Sequence, residues 1–453
     1  MRIIVIGAGD VGFQIAKTLS REGHQVVVIE SREDVARRVK EALDVQAVTG
    51  NGSHPEVLQQ AGVAEADMLI AVTDRDETNI LACLVASSQA SVPTKIARVR
   101  DEHHNRALDR FDERLLKVDL RIQPEQEAAD TALKLIHFPG AREVVEFAGG
   151  RILLVSAIAG KESSLLRRPL EEVQAGAGEK AKILIVALRR GPQIIIPRGK
   201  DVIQEGDELY VIAERERVLP VIQSLGVVLP PTRTVILYGA SKVALYLARE
   251  LEKLEISSKL ICPDERLCTR LMTEFERVAV LCGEGTDQDL LLEFNVKDVD
   301  YFISASEDEE ANILVALLAK RLGARRTMAL VTRLSYISLV STIGVDVVLN
   351  PQMAAVDRIL RHIRRGRVLH VATVGEERAE AIEVVALETS GLVHRPLRQV
   401  SFPLDAIVGA LVRDGDTIIP HGDTMILPGD RVIIFAKRQA VPALERALTV
   451  GPE

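Results

Sequence analysis

The chain has 453 residues, 47% of them hydrophobic and 27% charged, about three times the usual domain size, which excludes both a single small core and a largely disordered polymer. Its formal net charge of −8, with no run of Lys/Arg interleaved with aromatics, disfavours a surface that tracks nucleic-acid phosphates. The longest apolar stretches, such as Ile313 to Ala319, fall far short of the roughly 20 residues that cross a bilayer. The four cysteines show no CxxC pair and no zinc-like spacing with histidine, so four buried reduced thiols are expected.

From Met1 the chain runs directly into an apolar strand, Arg2 to Ile6, which leaves no room for a secretory leader and predicts a cytoplasmic protein. The strand enters Gly7-Ala8-Gly9-Asp10-Val11-Gly12, and the helix that follows repeats its apolar positions at Val11, Ile15 and Leu19. In a strand-turn-helix of this kind Gly7 permits the tight turn, Gly9 lets backbone amides approach a pyrophosphate, and Gly12 lets helix and strand pack closely. Glu30 ends the next strand, Gln25 to Ile29, 18 residues after Gly12, where an acid binds ribose hydroxyls and repels a 2′-phosphate. Arg32 is the counter-signal, a surface residue or a phosphate helper.

Gly50-Asn51-Gly52-Ser53 follows the third strand and reads either as a simple turn or as a small loop closing over an adenosine. After the fourth strand, Asp74 and Glu77 have the spacing of a capping box, and Thr73 or Asp74 stands where it can touch a ligand. Arg98 and Arg100 alternate on the next strand, Ile96 to Val99, placed for phosphates or for a dimer partner. Short Val/Ile strands separated by Gly-Asp turns then give way to a helical pattern, Val218 to Leu225, which predicts a small α+β module. Pro230-Pro231 marks a hinge.

Beyond the hinge the chain repeats. Arg2 to Ala8 is answered by Thr234 to Ala240, Gly50-Asn51-Gly52 by Gly283-Glu284-Gly285, and Asp76-Glu77-Thr78-Asn79 by Glu309-Glu310-Ala311-Asn312. The small module repeats as well, with Gly206-Asp207 answered by Gly429-Asp430. The expected architecture is therefore α/β and A-B-A-B: two Rossmann-like, doubly wound parallel-sheet domains, 1–140 and 232–366, each followed by a small α+β lobe, 141–226 and 367–453. The duplicated A segments are expected to pair with each other. The second A copy is degenerate, with Gly239, Ser241, Ala244 and Cys262 where the first has Gly7, Gly9, Gly12 and Glu30. Arg358, Arg361, Arg364, Arg365 and Arg367 cluster at a predicted helix end, as a solvated basic face or a partner for the helix dipole.

Gly7 to Gly12, Gly50 to Pro55, Ala66 to Thr73, Asp76 to Asn79, Ile96 to Arg100, Pro124-Glu125-Gln126, Phe138 to Ala141 and Ala319 to Ala324 together resemble the TrkA family over the whole chain. The A segments are similar to the N-terminal lobe, and the B segments to the C-terminal lobe, of regulator-of-potassium-conductance domains. The resemblance implies a non-enzymatic subunit, peripheral to the inner face of the cell membrane, that forms a homo-oligomeric, tetrameric ring under an integral membrane potassium translocator of the Trk/Ktr type. It implies contact with the membrane only through that partner, and gating by bound NAD(H), with ATP and ADP as further ligands. The residues the resemblance carries over are Gly7, Gly9, Gly12, Glu30, Thr73 and Arg98; Ala8, Asp10 and Val11 of the same turn, Asn51 and Gly52 of the loop, and Asp74 complete the candidate binding set. The rival reading is a soluble NAD-dependent dehydrogenase, which requires an acid or base near the reacting carbon. The histidines, among them His137, His394, His421 and the adjacent His103-His104, are scattered in sequence and form no such constellation.

Overall fold

A computed structural model describes residues 1–110, 118–177, 183–227, 229–363, 368–375, 378–400, 402–441, 443–444 and 448. Strands β1 (Arg2–Ile6), β2 (Gln25–Glu30), β3 (Gln46–Thr49), β4 (Met68–Ala71), β5 (Thr94–Arg98) and β6 (Leu120–Ile122) form a parallel sheet in the order β3-β2-β1-β4-β5-β6. Helices α1 (Asp10–Arg21), α2 (Glu33–Ala42), α3 (Pro55–Gln60), α4 (Asp76–Gln89), α5 (Glu102–Leu108) and α6 (Pro124–His137) alternate with the strands. Continuous apolar runs such as Ile3-Ile4-Val5 are fully buried, as in a strand covered on both faces. Helix α1 turns a single stripe, Val11, Gly12, Ile15, Ala16 and Leu19, inward.

An antiparallel sheet follows, with β7 (Glu143–Phe147), β8 (Ile152–Ile158), β9 (Ile183–Arg190), β10 (Gln193–Ile195) and β11 (Glu208–Glu214) in the order β10-β9-β11-β8-β7. Helices α7 (Leu170–Ala177) and α8 (Val218–Ser224) accompany it. The second parallel sheet consists of β12 (Thr234–Tyr238), β13 (Ser257–Cys262), β14 (Ala279–Cys282), β15 (Tyr301–Ser304), β16 (Arg326–Leu330) and β17 (Val347–Leu349), and repeats the order of the first. Its helices are α9 (Lys242–Lys253), α10 (Glu265–Glu274), α11 (Gln288–Glu293), α12 (Glu309–Arg321), α13 (Leu334–Thr342) and α14 (Pro351–Ile363). The last sheet, β18 (Val368–Val374), β19 (Ala379–Val385), β20 (Ala406–Arg413), β21 (Asp416–Ile418) and β22 (Arg431–Lys437), is ordered β18-β19-β22-β20-β21, the antiparallel pattern of the first small lobe again.

The chain divides into two compact units, and like is grouped with like. One unit holds Met1–Asp130 with Thr234–His362, hence both parallel sheets; the other holds Thr131–Arg233 with Ile363–Glu453, hence both antiparallel sheets. In the first unit α6 meets the second copy: Gln126 Nε2 donates to Tyr246 Oη (3.0 Å), and Arg358 of α14 pairs with Glu127 (3.4 Å). The predicted basic cluster is thus partly committed to an ion pair; Arg364, Arg365 and Arg367 lie outside the described residues. In the second unit the two small lobes share one core, in which Phe147, Ile152, Val186 and Tyr210 pack with Ala381, Ile433 and Phe435.

The expectation of four buried reduced thiols is corrected. Helix α10 packs on β14 and brings Cys268 to Cys282, which are joined in a disulfide with a Cα–Cα distance of 5.9 Å; a pairing across a crossover leaves no sequence spacing to read. Cys83 and Cys262 are free and buried, and burial pushes the Cys83 thiol up to about 12.

Candidate functional site

In the first parallel sheet the strand order reverses between β1 and β4, and the crevice at the carboxyl ends of these strands is where a doubly wound sheet receives ligands. Gly7, in the turn after β1, has φ +94°, and a Cβ there would stand 3.0 Å from the Thr73 backbone. A Cβ on Gly12 would come within 1.9 Å of the Gly7 carbonyl oxygen, so α1 and the turn touch directly. Gly9 differs from both. A Cβ there meets no protein atom within 4 Å, and Gly9 N-caps α1 without a side-chain bond. An uncapped helix N-terminus with open space beside it fits a pyrophosphate.

Glu30 closes over this turn. Its carboxylate accepts from the Ala8 N–H (2.8 Å) and the Arg32 N–H (3.0 Å), so it fixes the loop and leaves lone pairs for hydroxyl donors. Ala8 and Val11 are buried and have only backbone to offer, whereas Asp10 is exposed in the first turn of α1. Asn51 Oδ1 accepts from the Ser53 N–H (3.0 Å) and Oγ (2.9 Å), which forms the turn, while a Cβ on Gly52 would lie 2.2 Å from Ile6. The loop therefore rests on the end of β1.

Thr73 is placed by a residue for which the sequence reading proposes no role. The Thr73 N–H and Oγ1 both donate to Asn79 Oδ1 (2.9 and 2.7 Å), and Asn79 Nδ2 donates to the carbonyls of Thr73 and Arg98 (3.0 and 2.9 Å). Fully buried Asn79 thus ties the ends of β4 and β5 together, and its recurrence as Asn312 was the available signal. The Asp74–Glu77 capping box is not formed. Helix α4 has Arg75 as its N-cap without a side-chain bond, because Asp76 anchors the helix start by accepting from the Arg100 and Asp101 N–H groups (2.8 and 2.7 Å). Asp74 is exposed, and its carbonyl accepts from Arg100 Nη2 (2.7 Å).

Arg98 is the last residue of β5 rather than its middle, and Arg100 lies beyond the strand. Arg98 is half-buried, and its Nε has no hydrogen-bond partner. Burial first, and then the charge of Arg100, lower its pKa from the ordinary value. A desolvated guanidinium N–H without an acceptor, at the same carboxyl edge as Gly9 and Glu30, fits a phosphate. The structure thus assembles the predicted residues along one edge of one sheet.

The second copy keeps the frame and differs in the side chains along its edge. Asn312 repeats Asn79, holding Ser306 and the Leu330 carbonyl (2.7 to 3.0 Å), which puts Leu330 in the place of Arg98, a loss that continuing the repeat frame to β16 would have shown. The Ser241 N–H donates to the Ala305 carbonyl (3.3 Å), and Ser241 Oγ caps α9 by accepting from the Ala244 N–H (3.3 Å). Donors that a pyrophosphate would use are spent within the protein. Cys262 is buried and directed to the Asp264 carbonyl. Lys242, in the position of Asp10, donates to the Arg100 carbonyl of the first copy (3.4 Å).

Among the described residues no group of His, Cys, Asp and Glu is arranged to hold a metal, and no helix is long and apolar enough to cross a membrane. The TrkA-N domain matches residues 3–119 and 235–351, and the TrkA-C domain matches 154–226 and 381–449. The chain is 36% identical over 431 residues to the Trk system potassium uptake protein TrkA of Halomonas elongata, covering 93% of this chain and 92% of that one. It is 35% identical over 457 residues to the protein of the same name from Azorhizobium caulinodans, covering 100% of both. Among solved structures, the GsuK channel bound to NAD aligns with a TM-score of 0.60 at 15% identity, over 99% of this chain and 78% of that one. The duplicated fold, both pairs of domain matches and the full-length likeness to named relatives together show that the chain belongs to the TrkA family of Trk system potassium uptake proteins.

Proposed function

We propose that this chain is a peripheral cytoplasmic subunit that gates an integral membrane potassium translocator of the Trk/Ktr type in response to bound NAD(H), with ATP and ADP as competing ligands. The observation that carries the reading is the first crevice: open space at Gly9, an uncapped α1, the Glu30 carboxylate and the unpartnered Arg98 Nε meet along one sheet edge. Gly9, Gly12 and the start of α1 would hold the pyrophosphate, Glu30 a ribose, Asn51 and Gly52 the adenosine side, and Thr73, Asp74 and Arg98 the second half of the ligand. That the structural neighbour GsuK was solved bound to NAD supports the same ligand. Segments 1–140 and 232–366 act as sensing and degenerate halves, with 141–226 and 367–453 as the regulatory lobes.

The subunit is read as a homo-oligomer, a tetrameric ring, that reaches the membrane only through its translocator. Exposed Leu81 and Leu84 of α4, with Leu314 of α12 and Leu339 of α13 in the other copy, offer apolar surface for self-association. Binding is read as regulatory rather than catalytic. Titration of the purified chain with NADH, NAD, ATP and ADP, followed by potassium flux in vesicles carrying the translocator, tests the proposal: nucleotide-dependent flux supports it, and NADH turnover with hydroxy acids would replace it by the dehydrogenase reading.

A further inference from the structure

Three of the four cysteines stand around the second crevice, at places where the first copy has Glu30, Ala36 and Thr49. Cys262 ends β13 and is the in-register neighbour of Cys282, which ends β14. Cys268 lies on α10, fully buried, and is bonded to Cys282, which is exposed to solvent. The loop Gly283-Glu284-Gly285-Thr286 begins at the next residue. It is tightly seated: a Cβ on Gly283 would lie 2.5 Å from Leu290 of α11, and one on Gly285 would lie 2.5 Å from the Tyr238 ring. The Gly283 N–H donates to the Cys262 carbonyl (3.1 Å), as the Gly50 N–H does to that of Glu30 (2.9 Å). The first loop closes with a side-chain turn at Asn51; the second is tied covalently to α10.

We propose that the Cys268–Cys282 bond is a redox-operated clamp on the 283–286 loop, which makes the degenerate half responsive to thiol reductants, a response separate from the nucleotide binding of the first half. Disulfides in reducing compartments are characteristically transient and sensing. Of the two bonded cysteines Cys282 is the exposed residue and Cys268 the fully buried one, so attack by a soluble dithiol is assigned to Cys282. The dithiol's thiolate forms a mixed disulfide at Cys282, and Cys268 leaves as a thiolate and takes up a proton. The second thiol then attacks its own bound sulfur and expels Cys282, so that the protein gains two electrons and two protons and the reagent departs as its disulfide. Buried Cys262, whose thiol burial holds above its ordinary pKa, stays protonated and is not consumed. Once the bond opens, the loop keeps its packing and its hydrogen bonds, among them Gly283 N–H to the Cys262 carbonyl and Asp287 N–H to the Glu284 carbonyl, and loses its covalent tie to α10.

The test uses the full chain, with thiols blocked at lysis, before and after treatment with dithiothreitol. Maleimide labelling is read by mass spectrometry and amide hydrogen exchange is followed over 279–293. The account predicts no label on Cys282 until reduction, then rapid labelling, with exchange of the loop rising about tenfold. Cys268→Ser and Cys282→Ser should exchange like the reduced chain whether or not dithiothreitol is present, with unchanged far-ultraviolet circular dichroism. Labelling of Cys282 in protein never reduced would show that the bond does not form. Resistance to dithiothreitol in the folded chain would show a static staple, and equal exchange in both states would show that the bond does not hold the loop. Each of these overturns the proposal.

Discussion

Gly9 and Gly12 belong to one motif and do different things. Because a Cβ on Gly9 faces open space, Gly9→Val should fold normally and fill the volume a pyrophosphate needs, abolishing detectable nucleotide binding in calorimetry while circular dichroism is unchanged. A Cβ on Gly12 would overlap the Gly7 carbonyl, so Gly12→Ala should lower unfolding stability by about 1–3 kcal/mol in a denaturant titration. Glu30→Gln keeps the shape and loses the charge; losing charged hydrogen bonds of about 1.5–3 kcal/mol predicts roughly ten- to a hundredfold weaker NADH binding. The glycines and Glu30 were legible because their chemistry is local: a tight turn, a helix start and a strand end at fixed spacing. Asn79 was not, since its partners are the ends of two other strands. Removing its side chain breaks four hydrogen bonds and leaves two part-buried carbonyls without that donor, so Asn79→Ala should cost roughly 2–4 kcal/mol in the same titration.

Elements carry the next level. The Gly-Asp turns of the small lobes were readable as turns, yet each Asp is a buried anchor as well. Asp207 takes a two-pronged contact from Arg190 (2.8 and 2.7 Å), and Asp430 takes the same from Arg413 (2.9 and 2.8 Å); both carboxylates are 2% exposed. Each also accepts a backbone N–H, from Gln204 or Leu427 (2.8 Å), which fixes the turn before the closing strand. Breaking a buried pair costs up to about 5 kcal/mol, and because the arginines keep contact with water the expected loss for Asp207→Ala or Asp430→Ala is about 2 kcal/mol. Thermal or denaturant unfolding of either variant checks it, and a change within error of zero would make these pairs mere surface decoration. The neighbouring position changes sign and partner strand between the copies: Glu208 of β11 meets Arg189 of β9, whereas Arg431 of β22, in the same place, meets Glu383 of β19, on the opposite side of the strand. Sequence alignment of the repeats shows the change of Glu208 to Arg431, but only the sheet pairing shows its compensation.

At the scale of the molecule, the duplication was legible from its many matches in one frame, and so were the residue differences between the A copies at Gly9/Ser241 and Glu30/Cys262. Which segments pack together is a tertiary fact, and the grouping of both parallel sheets in one unit follows the expectation for a duplicated, self-complementary fold. The losses in the second copy go further than Ser241 and Cys262, because Leu330 replaces the phosphate-side arginine and Ser241 occupies the helix cap. A ligand shifts a ring only through its differential affinity for two ring shapes, so in the proposed ring the first crevice would deliver most of the coupling. In reconstituted vesicles Glu30→Gln should therefore strongly impair nucleotide control of potassium flux, whereas Cys262→Ala should change it little. The decisive measurement is the stoichiometry of NADH binding by calorimetry on the purified chain: a single strong site per chain is expected, weakened roughly ten- to a hundredfold in Glu30→Gln and unchanged in Cys262→Ala, and two equivalent sites, or equal weakening in both variants, would contradict it.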